Sequence, residues 1–170
     1  TFAIAVDLDN DGDMDIVSAS SEDDAIAWYE NTTSTYIGIS AWTGVAAGSS
    51  VDEAIGVTHA DIDGDGDLDI ISAAYNDDDV SWFINDGSPD GAGWIEVLID
   101  ASLDGAYAVD AADIDNDGDI DVIAAGFDAN AIKWYVNDGT PNDPNWTATT
   151  VGTGASSGGA YKPIDVKLAD

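Results

Sequence analysis

The feature that most constrains the fold of this chain is a ten-residue acidic loop that occurs three times. Each copy has aspartate at positions 1, 3, 5, 7 and 9, glycine at position 6 and a β-branched residue at position 10. The copies span residues 7–16, 61–70 and 113–122, and we name them loops 1, 2 and 3. Five carboxylates so close together repel one another, so such a loop resists compaction unless a cation neutralises it.

The spacing of the aspartates predicts a calcium site in each loop. Calcium accepts about six to eight oxygen ligands, and glycine at position 6 lets the chain turn so that positions 1, 3 and 5 converge. We predict that positions 1, 3, 5 and 9 bind through carboxylates and position 7 through its backbone oxygen. The predicted ligands are Asp7, Asp9, Asp11, Asp13 and Asp15 in loop 1, Asp61, Asp63, Asp65, Asp67 and Asp69 in loop 2, and Asp113, Asp115, Asp117, Asp119 and Asp121 in loop 3.

The residues after each loop distinguish it from the helix–loop–helix calcium motif. That motif needs a bidentate glutamate at position 12 and a helix on each side. Position 12 here is Ser18, Ser72 or Ala124, and the residues after position 9 are β-branched, which favours a strand. The alternative is a solvated acidic turn without metal, which three in-register copies make the weaker interpretation.

The similarity between the copies extends beyond the loops and defines a repeat of about 50 residues. The loops start at residues 7, 61 and 113, and a Trp–aromatic pair follows each of them at residues 28–29, 82–83 and 134–135. Residue 170 falls where a fourth loop would begin. We therefore predict one segment of repeats over residues 1–170, with repeats at about 1–53, 54–105 and 106–160 and a partial repeat at 161–170.

Each repeat predicts four short strands and no helix. The second strand is apolar throughout, which indicates burial on both faces. The first strands are predicted at about 2–7, 55–61, 107–113 and 163–169, the second at 14–19, 68–73 and 120–125, the third at 25–30, 79–84 and 131–136, and the fourth at 94–99 and 146–151. The fourth strand of the first repeat is weakly predicted at 36–42, and the glycine-rich residues 151–159 are predicted to form a surface loop.

A four-stranded repeat of this length is typical of a β-propeller blade. Such a blade is a small twisted sheet that cannot bury its faces alone, so blades stack on one another. The predicted fold is therefore all-β, with three four-stranded antiparallel blades plus the first strand of a fourth, as a partial propeller or open arc. Because about four blades are needed for closure, we expect a longer parent protein or, as the alternative, an assembly of chains.

The motif Asp-x-Asp-x-Asp-Gly-Asp-x-Asp-Ile/Val, followed by a Trp–aromatic strand, resembles the FG-GAP/VCBS-type repeat of bacterial secreted proteins. Relatives of that repeat form the calcium-binding propeller of integrin α subunits. The resemblance implies a propeller with calcium in the hairpin between the two innermost strands of each blade, on the loop aspartates named above. The Phe-Gly and Gly-Ala-Pro flanks of integrin repeats are not evident, so integrin-type ligand recognition is not transferred.

The charge of the chain limits the classes of partner that it can bind. It has 35 acidic residues, three lysines and no arginine, for a formal net charge of −32, which three calcium ions would reduce to −26. Such a surface does not attract nucleic acid or anionic membranes, both of which need basic side chains. No stretch reaches the roughly 18 apolar residues of a membrane span. Because the chain has no cysteine, bound metal ions rather than disulfide bonds would cross-link the fold. We expect a secreted or cell-surface protein in a salty, calcium-bearing medium.

These features predict a non-enzymatic, calcium-stabilised scaffold in adhesion or a surface filament. The expected partners are neighbouring blades or chains that complete the propeller, with glycans or other surface proteins as further candidates. The alternative is a carbohydrate-binding, lectin-like propeller or the accessory domain of a polysaccharide-degrading enzyme, with Trp94, Trp146 and Tyr36 at partly exposed positions. A third hypothesis, a polysaccharide lyase, lacks a suitable base, because the only histidine, His59, takes an apolar strand position.

Two further sets of residues are predicted to be structural. The tryptophans at one repeat position, Trp28, Trp82 and Trp134, are expected to pack between blades. The acidic residues after the second strands, at 23–24 and 77–79, are expected to lie in solvated turns.

Overall fold

The computed structural model describes residues 2–32, 42–48, 51–89, 94–141, 146–153 and 162–168. Over these ranges the chain is all-β, and it contains no helix that could cross a membrane. The described strands are β1 (Phe2–Val6), β2 (Asp15–Ser20), β3 (Ala25–Asn31), β4 (Trp42–Gly48), β5 (Ala54–Ala60), β6 (Asp69–Ala74), β7 (Asp79–Ile84), β8 (Ile95–Asp100), β9 (Ala106–Ala112), β10 (Asp121–Gly126), β11 (Ala131–Val136) and β12 (Thr147–Thr153).

The strands form three four-stranded antiparallel sheets, each in chain order, as the repeats predict. We name them sheet 1 (β1–β4), sheet 2 (β5–β8) and sheet 3 (β9–β12). The described sheets stack in sequence without closing into a ring, which agrees with an open, propeller-like arc.

Each acidic loop is the hairpin connection between the first two strands of its sheet. The last pair in each ladder joins the residue before the loop to the aspartate at loop position 9. These pairs are Val6 with Asp15, Ala60 with Asp69, and Ala112 with Asp121. Position 9 therefore starts the second strand and is fixed by the sheet, whereas positions 1–8 form the turn.

The burial of the second strands follows from the stacking. All six residues of β6 are buried, because sheet 2 has a neighbouring sheet on each side. In β2, buried residues alternate with more exposed ones, because only one face of sheet 1 is covered within the described residues. The prediction of burial on both faces is therefore confirmed for β6 and is wrong for β2.

Two apolar cores lie between successive sheets, one joining sheets 1 and 2 and the other joining sheets 2 and 3. Trp28 lies in the first core and Trp82 in the second, and both are 0% exposed. The predicted packing between blades is thus confirmed for these two tryptophans. Trp134 occupies the corresponding position in sheet 3 and is partly exposed.

The turns after the second strands fasten each sheet to the next one. Asp24 and Asp78 adopt left-handed conformations, with φ of 52° and 61°. The Oδ1 atom of Asp24 accepts a hydrogen bond from Glu53 N (3.1 Å), and that of Asp78 accepts one from Gly105 N (2.7 Å). Both residues lie in turns, as expected, with Asp24 exposed and Asp78 partly exposed, but each also binds the residue just before the first strand of the following sheet.

The structure also corrects two strand boundaries and adds residues to a third strand. The described fourth strand of the first repeat is β4, at Trp42–Gly48, and Gly44 lies within it opposite Tyr29. Of the predicted range 36–42, only residue 42 belongs to the described residues. Residues 151–153, predicted as loop, belong to β12. Residues 162–168 form no hydrogen-bonded strand, because the described residues include no hairpin partner for them, although Leu168 N donates to Asp110 Oδ2 (2.8 Å). Residues 33–41 and 154–161 lie outside the described residues.

Candidate metal centre

The three acidic loops share one backbone conformation. The glycine at position 6 has φ of 96°, 101° and 104° in Gly12, Gly66 and Gly118, which is the left-handed region that the predicted sharp turn requires. Position 4 is also left-handed, with φ of 58°, 74° and 63° in Asn10, Gly64 and Asn116. Asparagine and glycine tolerate this region best, so the residue types at position 4 could have predicted its left-handed conformation from the sequence.

Carboxylates within each loop hold this turn together. The Oδ2 atom of the position-1 aspartate accepts a hydrogen bond from the N–H of position 6 at 3.1 Å in every loop. The position-5 aspartate accepts one from the N–H of position 7 at 2.8, 2.9 and 3.0 Å in loops 1, 2 and 3. The aspartates therefore fold the backbone back on itself and bring their own carboxylates close together.

The position-9 aspartates, Asp15, Asp69 and Asp121, are at most 1% exposed. In each of them, Oδ2 accepts a hydrogen bond from the position-2 N–H and Oδ1 accepts one from an asparagine N–H at the end of the third strand. The distances range from 2.8 to 3.1 Å. Burial raises the pKa of Asp69 to about 7, and the N–H groups of Asn85 and Ile62 partly offset this effect.

Each loop gathers three carboxylates that could hold a metal ion. The ligand atoms of each group lie within 4.8 Å of one another. The groups are Asp7, Asp9 and Asp15 in loop 1, Asp61, Asp63 and Asp65 in loop 2, and Asp113, Asp115 and Asp121 in loop 3. Positions 1 and 3 belong to all three groups, so they form the shared part of the candidate site.

Several oxygens in these groups lack a hydrogen-bond donor. The Oδ1 atoms of Asp7, Asp61 and Asp63 are buried and have no hydrogen-bond partner. A buried, unpartnered carboxylate oxygen is costly, and a hard cation is the partner that such oxygens prefer. The donor set of these loops therefore fits a bound metal ion.

The position-3 carboxylates show the electrostatic cost of the crowding. Desolvation raises the pKa of Asp9, Asp63 and Asp115, and repulsion from neighbouring loop carboxylates raises it further. A divalent cation would reverse the repulsion and favour the ionised carboxylates.

The remaining predicted ligands lie outside the three groups. At position 5 these are Asp11 and Asp117, and at position 9 it is Asp69. The position-7 aspartates also lie outside, and the carboxylates of Asp67 and Asp119 lie against Gly87 and Gly139. The assignment of a backbone oxygen at position 7, like the full ligand set, stays a prediction.

The asparagines that end the third strands were not predicted to support the loops. Asn31, Asn85 and Asn137 each follow the Trp–aromatic pair at the same spacing, and each donates its backbone N–H to the position-9 aspartate. The recurrence was visible in the sequence, but an asparagine at a strand end also suits an ordinary turn. Only the folded contacts reveal that these residues support the loops.

The aromatic residues considered for sugar binding have other contacts. Trp94 and Trp146 are partly exposed, as expected, but their indole N–H groups donate to Pro89 O (3.1 Å) and Pro141 O (3.2 Å). Tyr36 lies outside the described residues. His59 is partly buried on β5, and burial lowers its pKa although the Asp110 carboxylate opposes this. None of these observations favours a glycan site or a catalytic base.

Comparison with known families agrees with this geometry. A family described as the FG-GAP-like repeat matches residues 7–72 and 61–124. Each match begins at the first aspartate of one loop and ends in the second strand of the next sheet. It therefore spans the last three strands of one sheet and the first two of its neighbour. No curated protein matches the chain.

Proposed function

The chain belongs to the FG-GAP-like repeat family, and on this basis we propose that it is a calcium-stabilised, β-propeller-like module of an extracellular scaffold. In this proposal one calcium ion binds each acidic loop, through the carboxylates at positions 1 and 3 together with those at position 5 or 9. The ion supplies no redox or acid–base chemistry. It neutralises the loop and fixes the hairpin between the first two strands of each sheet.

The observation that carries this proposal is the set of unpartnered, buried carboxylate oxygens in loops 1 and 2, at Asp7, Asp61 and Asp63. Calcium is favoured over zinc because the loops offer only oxygen ligands, and over magnesium because the clusters are irregular and supply many carboxylates. Extracellular calcium modules often bind with Kd values of about 10⁻⁴ to 10⁻³ M, which suits a calcium-rich medium.

The scaffold role and the location are inferred from charge and composition. The net charge of −32 favours a medium in which salt and divalent cations screen repulsion. The clustered residues of the candidate sites are all aspartates, many of them held by backbone N–H groups, and the chain contains no arginine. We therefore propose a non-enzymatic role in adhesion or surface structure, in a protein that is secreted or displayed at the cell surface.

Calcium stoichiometry tests the proposed sites. The wild-type chain is expected to bind three calcium ions in isothermal titration calorimetry. The double variant Asp61→Asn and Asp63→Asn is expected to bind two, because it removes two of the clustered carboxylates of loop 2. Asp86→Asn with Asp104→Asn removes the same charge at exposed positions outside the loops and should still bind three. Equal stoichiometry in both double variants would contradict the proposal.

The two outer faces of the stack indicate the kind of partner. On sheet 1, Ile16 and Tyr29 are 37% and 39% exposed, whereas the corresponding Ile70 and Phe83 of sheet 2 are 0% exposed against sheet 1. On sheet 3, Trp134 is partly exposed. On the same sheet, Asn130 Oδ1 is buried without a partner, and Asn130 occupies the turn position of Asp24 and Asp78, which each bind the residue just before the following sheet. We propose that further blades of the same type cover both faces, either from the same chain or from another.

Self-association of the 170-residue chain tests this partner. In calcium, sedimentation velocity is expected to detect species heavier than 17.5 kDa as concentration rises. Tyr29→Lys places a charge on the exposed face of sheet 1 and should reduce their mass. Val151→Lys, on the exposed strand β12, is the matched control and should leave the mass unchanged. A constant mass of 17.5 kDa would contradict association between copies.

A further inference from the structure

A continuous chain of buried hydrogen bonds connects the three acidic loops. In loop 1, Asp15 Oδ2 accepts a bond from Leu8 N at 3.1 Å, and the carbonyl of Leu8 accepts one from Asn85 Nδ2 at 3.3 Å. The backbone N–H of Asn85 then donates to Asp69 Oδ1 of loop 2 at 2.8 Å. Asn85 therefore contacts the position-2 carbonyl of one loop and the position-9 carboxylate of the next.

The same connection joins loops 2 and 3. Asp69 Oδ2 accepts a bond from Ile62 N at 3.0 Å, and the carbonyl of Ile62 accepts one from Asn137 Nδ2 at 3.0 Å. The N–H of Asn137 donates to Asp121 Oδ1 at 2.9 Å. Two independent joints between sheets thus contain the same bridge, which makes it a repeated element of the fold.

Each bridging asparagine makes hydrogen bonds through both its amide nitrogen and its amide oxygen. Asn85 Nδ2 also donates to Leu68 O of its own loop (3.1 Å), and Asn85 Oδ1 accepts a bond from Gly87 N (3.1 Å). Asn137 makes the equivalent bonds with Ile120 O (3.2 Å) and Gly139 N (3.1 Å). Both asparagines are 2% exposed. A buried network in which the polar atoms have partners is geometrically specific, so a shift in one loop changes the bonds available to the other.

From this geometry we propose that Asn85 and Asn137 are positioning residues that couple neighbouring calcium loops, so that calcium in one loop increases the affinity of the next. The inference rests on the proposed calcium sites. Calcium orders the turn of its loop, which includes the position-2 carbonyl that the asparagine contacts. Through Asn85, that order extends to positions 8 and 9 of the following loop, which then loses less conformational freedom when it binds. By linkage the effect is reciprocal between the two loops.

The test isolates one pair of loops by calorimetric titration with calcium. The pair Asp113→Asn and Asp115→Asn disables loop 3 and leaves loops 1 and 2. Adding Asp7→Asn and Asp9→Asn also disables loop 1, so that only loop 2 binds. Adding Asp61→Asn and Asp63→Asn instead disables loop 2, so that only loop 1 binds. With Asn85 present, the product of the two stepwise binding constants for loops 1 and 2 should exceed the product of the single-site constants by about fivefold or more. In Asn85→Ala the two products should agree.

Asn85→Ala removes a bond within loop 2 as well as the bridge between loops, and two other asparagines control for the loss of a bond within a loop. Asn137→Ala also removes an amide that contacts loop 2, but its bridge leads to loop 3. Asn31→Ala removes the Nδ2 bond to Met14 O of loop 1, and no other loop of the 170 residues precedes it. Both should keep the fivefold ratio for the pair of loops 1 and 2. An unchanged ratio in Asn85→Ala, or a ratio of one with Asn85 present, would overturn the inference.

A second comparison needs no asparagine substitution, so it stands if Asn85→Ala fails to fold. Disabling loop 2 leaves loops 1 and 3, which no single asparagine connects, and their ratio should lie closer to one than that of loops 1 and 2. Equal ratios for adjacent and separated loops would overturn the coupling. Binding without coupling would leave the proposed calcium sites intact, whereas the absence of calcium binding in every protein would overturn both.

Discussion

Removal of calcium by an excess of chelator is expected to lower the melting temperature by about 15–30 °C. A ligand that binds only the folded state contributes about 2.7 kcal/mol when its free concentration is 100 times Kd. Three such sites contribute about 8 kcal/mol, and for a chain of this length each kcal/mol corresponds to about 2–4 °C. The effect is large because the empty loops also regain the repulsion among five aspartates each.

The measurement is thermal unfolding by circular dichroism in saturating calcium and again in excess chelator. The control protein carries Asn at positions 1 and 3 of all three loops, and it should melt at one temperature under both conditions. Identical curves for the wild-type chain with and without chelator would contradict structural calcium. A chelator effect of equal size in the control would place the relevant metal outside the loops.

Replacement of Trp82 by alanine is expected to reduce the free energy of unfolding by about 3–5 kcal/mol. This tryptophan is 0% exposed in the core between sheets 2 and 3, and truncation of a large buried aromatic side chain leaves a cavity that the surrounding strands cannot fill. The loss would remove much of the stability of an ordinary domain, which is about 5–15 kcal/mol.

Trp134→Ala is the matched control, because Trp134 occupies the same repeat position but is partly exposed. Its cost in the isolated chain should be less than half that of Trp82→Ala, since part of its surface is already in water. Urea unfolding in saturating calcium measures both values. A similar cost for the two variants would contradict the assignment of Trp82 to the core between stacked sheets.

Much of this architecture could be predicted from local sequence patterns. The loops are contiguous, so their spacing alone indicates a turn rich in oxygen ligands. The β-branched residues after position 9 and the recurrence of the Trp–aromatic pair predict strands at nearly the observed positions. A repeat of four strands that cannot bury its own faces then predicts stacked sheets. Each of these inferences depends on residues close together in the chain.

The joints between sheets could not be predicted in this way. The bond from Asn85 Nδ2 to Leu8 O joins residues 77 positions apart, and the bond from Gly105 N to Asp78 Oδ1 joins residues 27 apart. In the sequence, Asn85 and Asp78 look like ordinary turn residues, because asparagine and aspartate are common in turns for local reasons. Their second role depends on how neighbouring sheets stack, and local composition does not contain that information.

Residues 43–48 of β4 were not predicted as strand for a related reason. Gly44 lies inside this strand, and a Cβ atom there would lie 3.3 Å from Tyr29 Cε1, so glycine makes room for the aromatic ring on the neighbouring strand. A glycine ordinarily weakens a strand prediction. Here it is favoured by a cross-strand contact that becomes visible only when the register is known.

The fastening of the sheets has a mechanical consequence. Asn85 ties sheets 1 and 2 at the loop end of β6, while Asp24 ties them at the opposite end, where it holds Glu53 N beside the turn that follows β2. A joint pinned at one end would open like a hinge under load. Because this joint is pinned at both ends, a pull that separates the sheets must break both attachments and expose the apolar layer between them. Tension along the stack would therefore be resisted until both attachments break and the apolar layer is exposed.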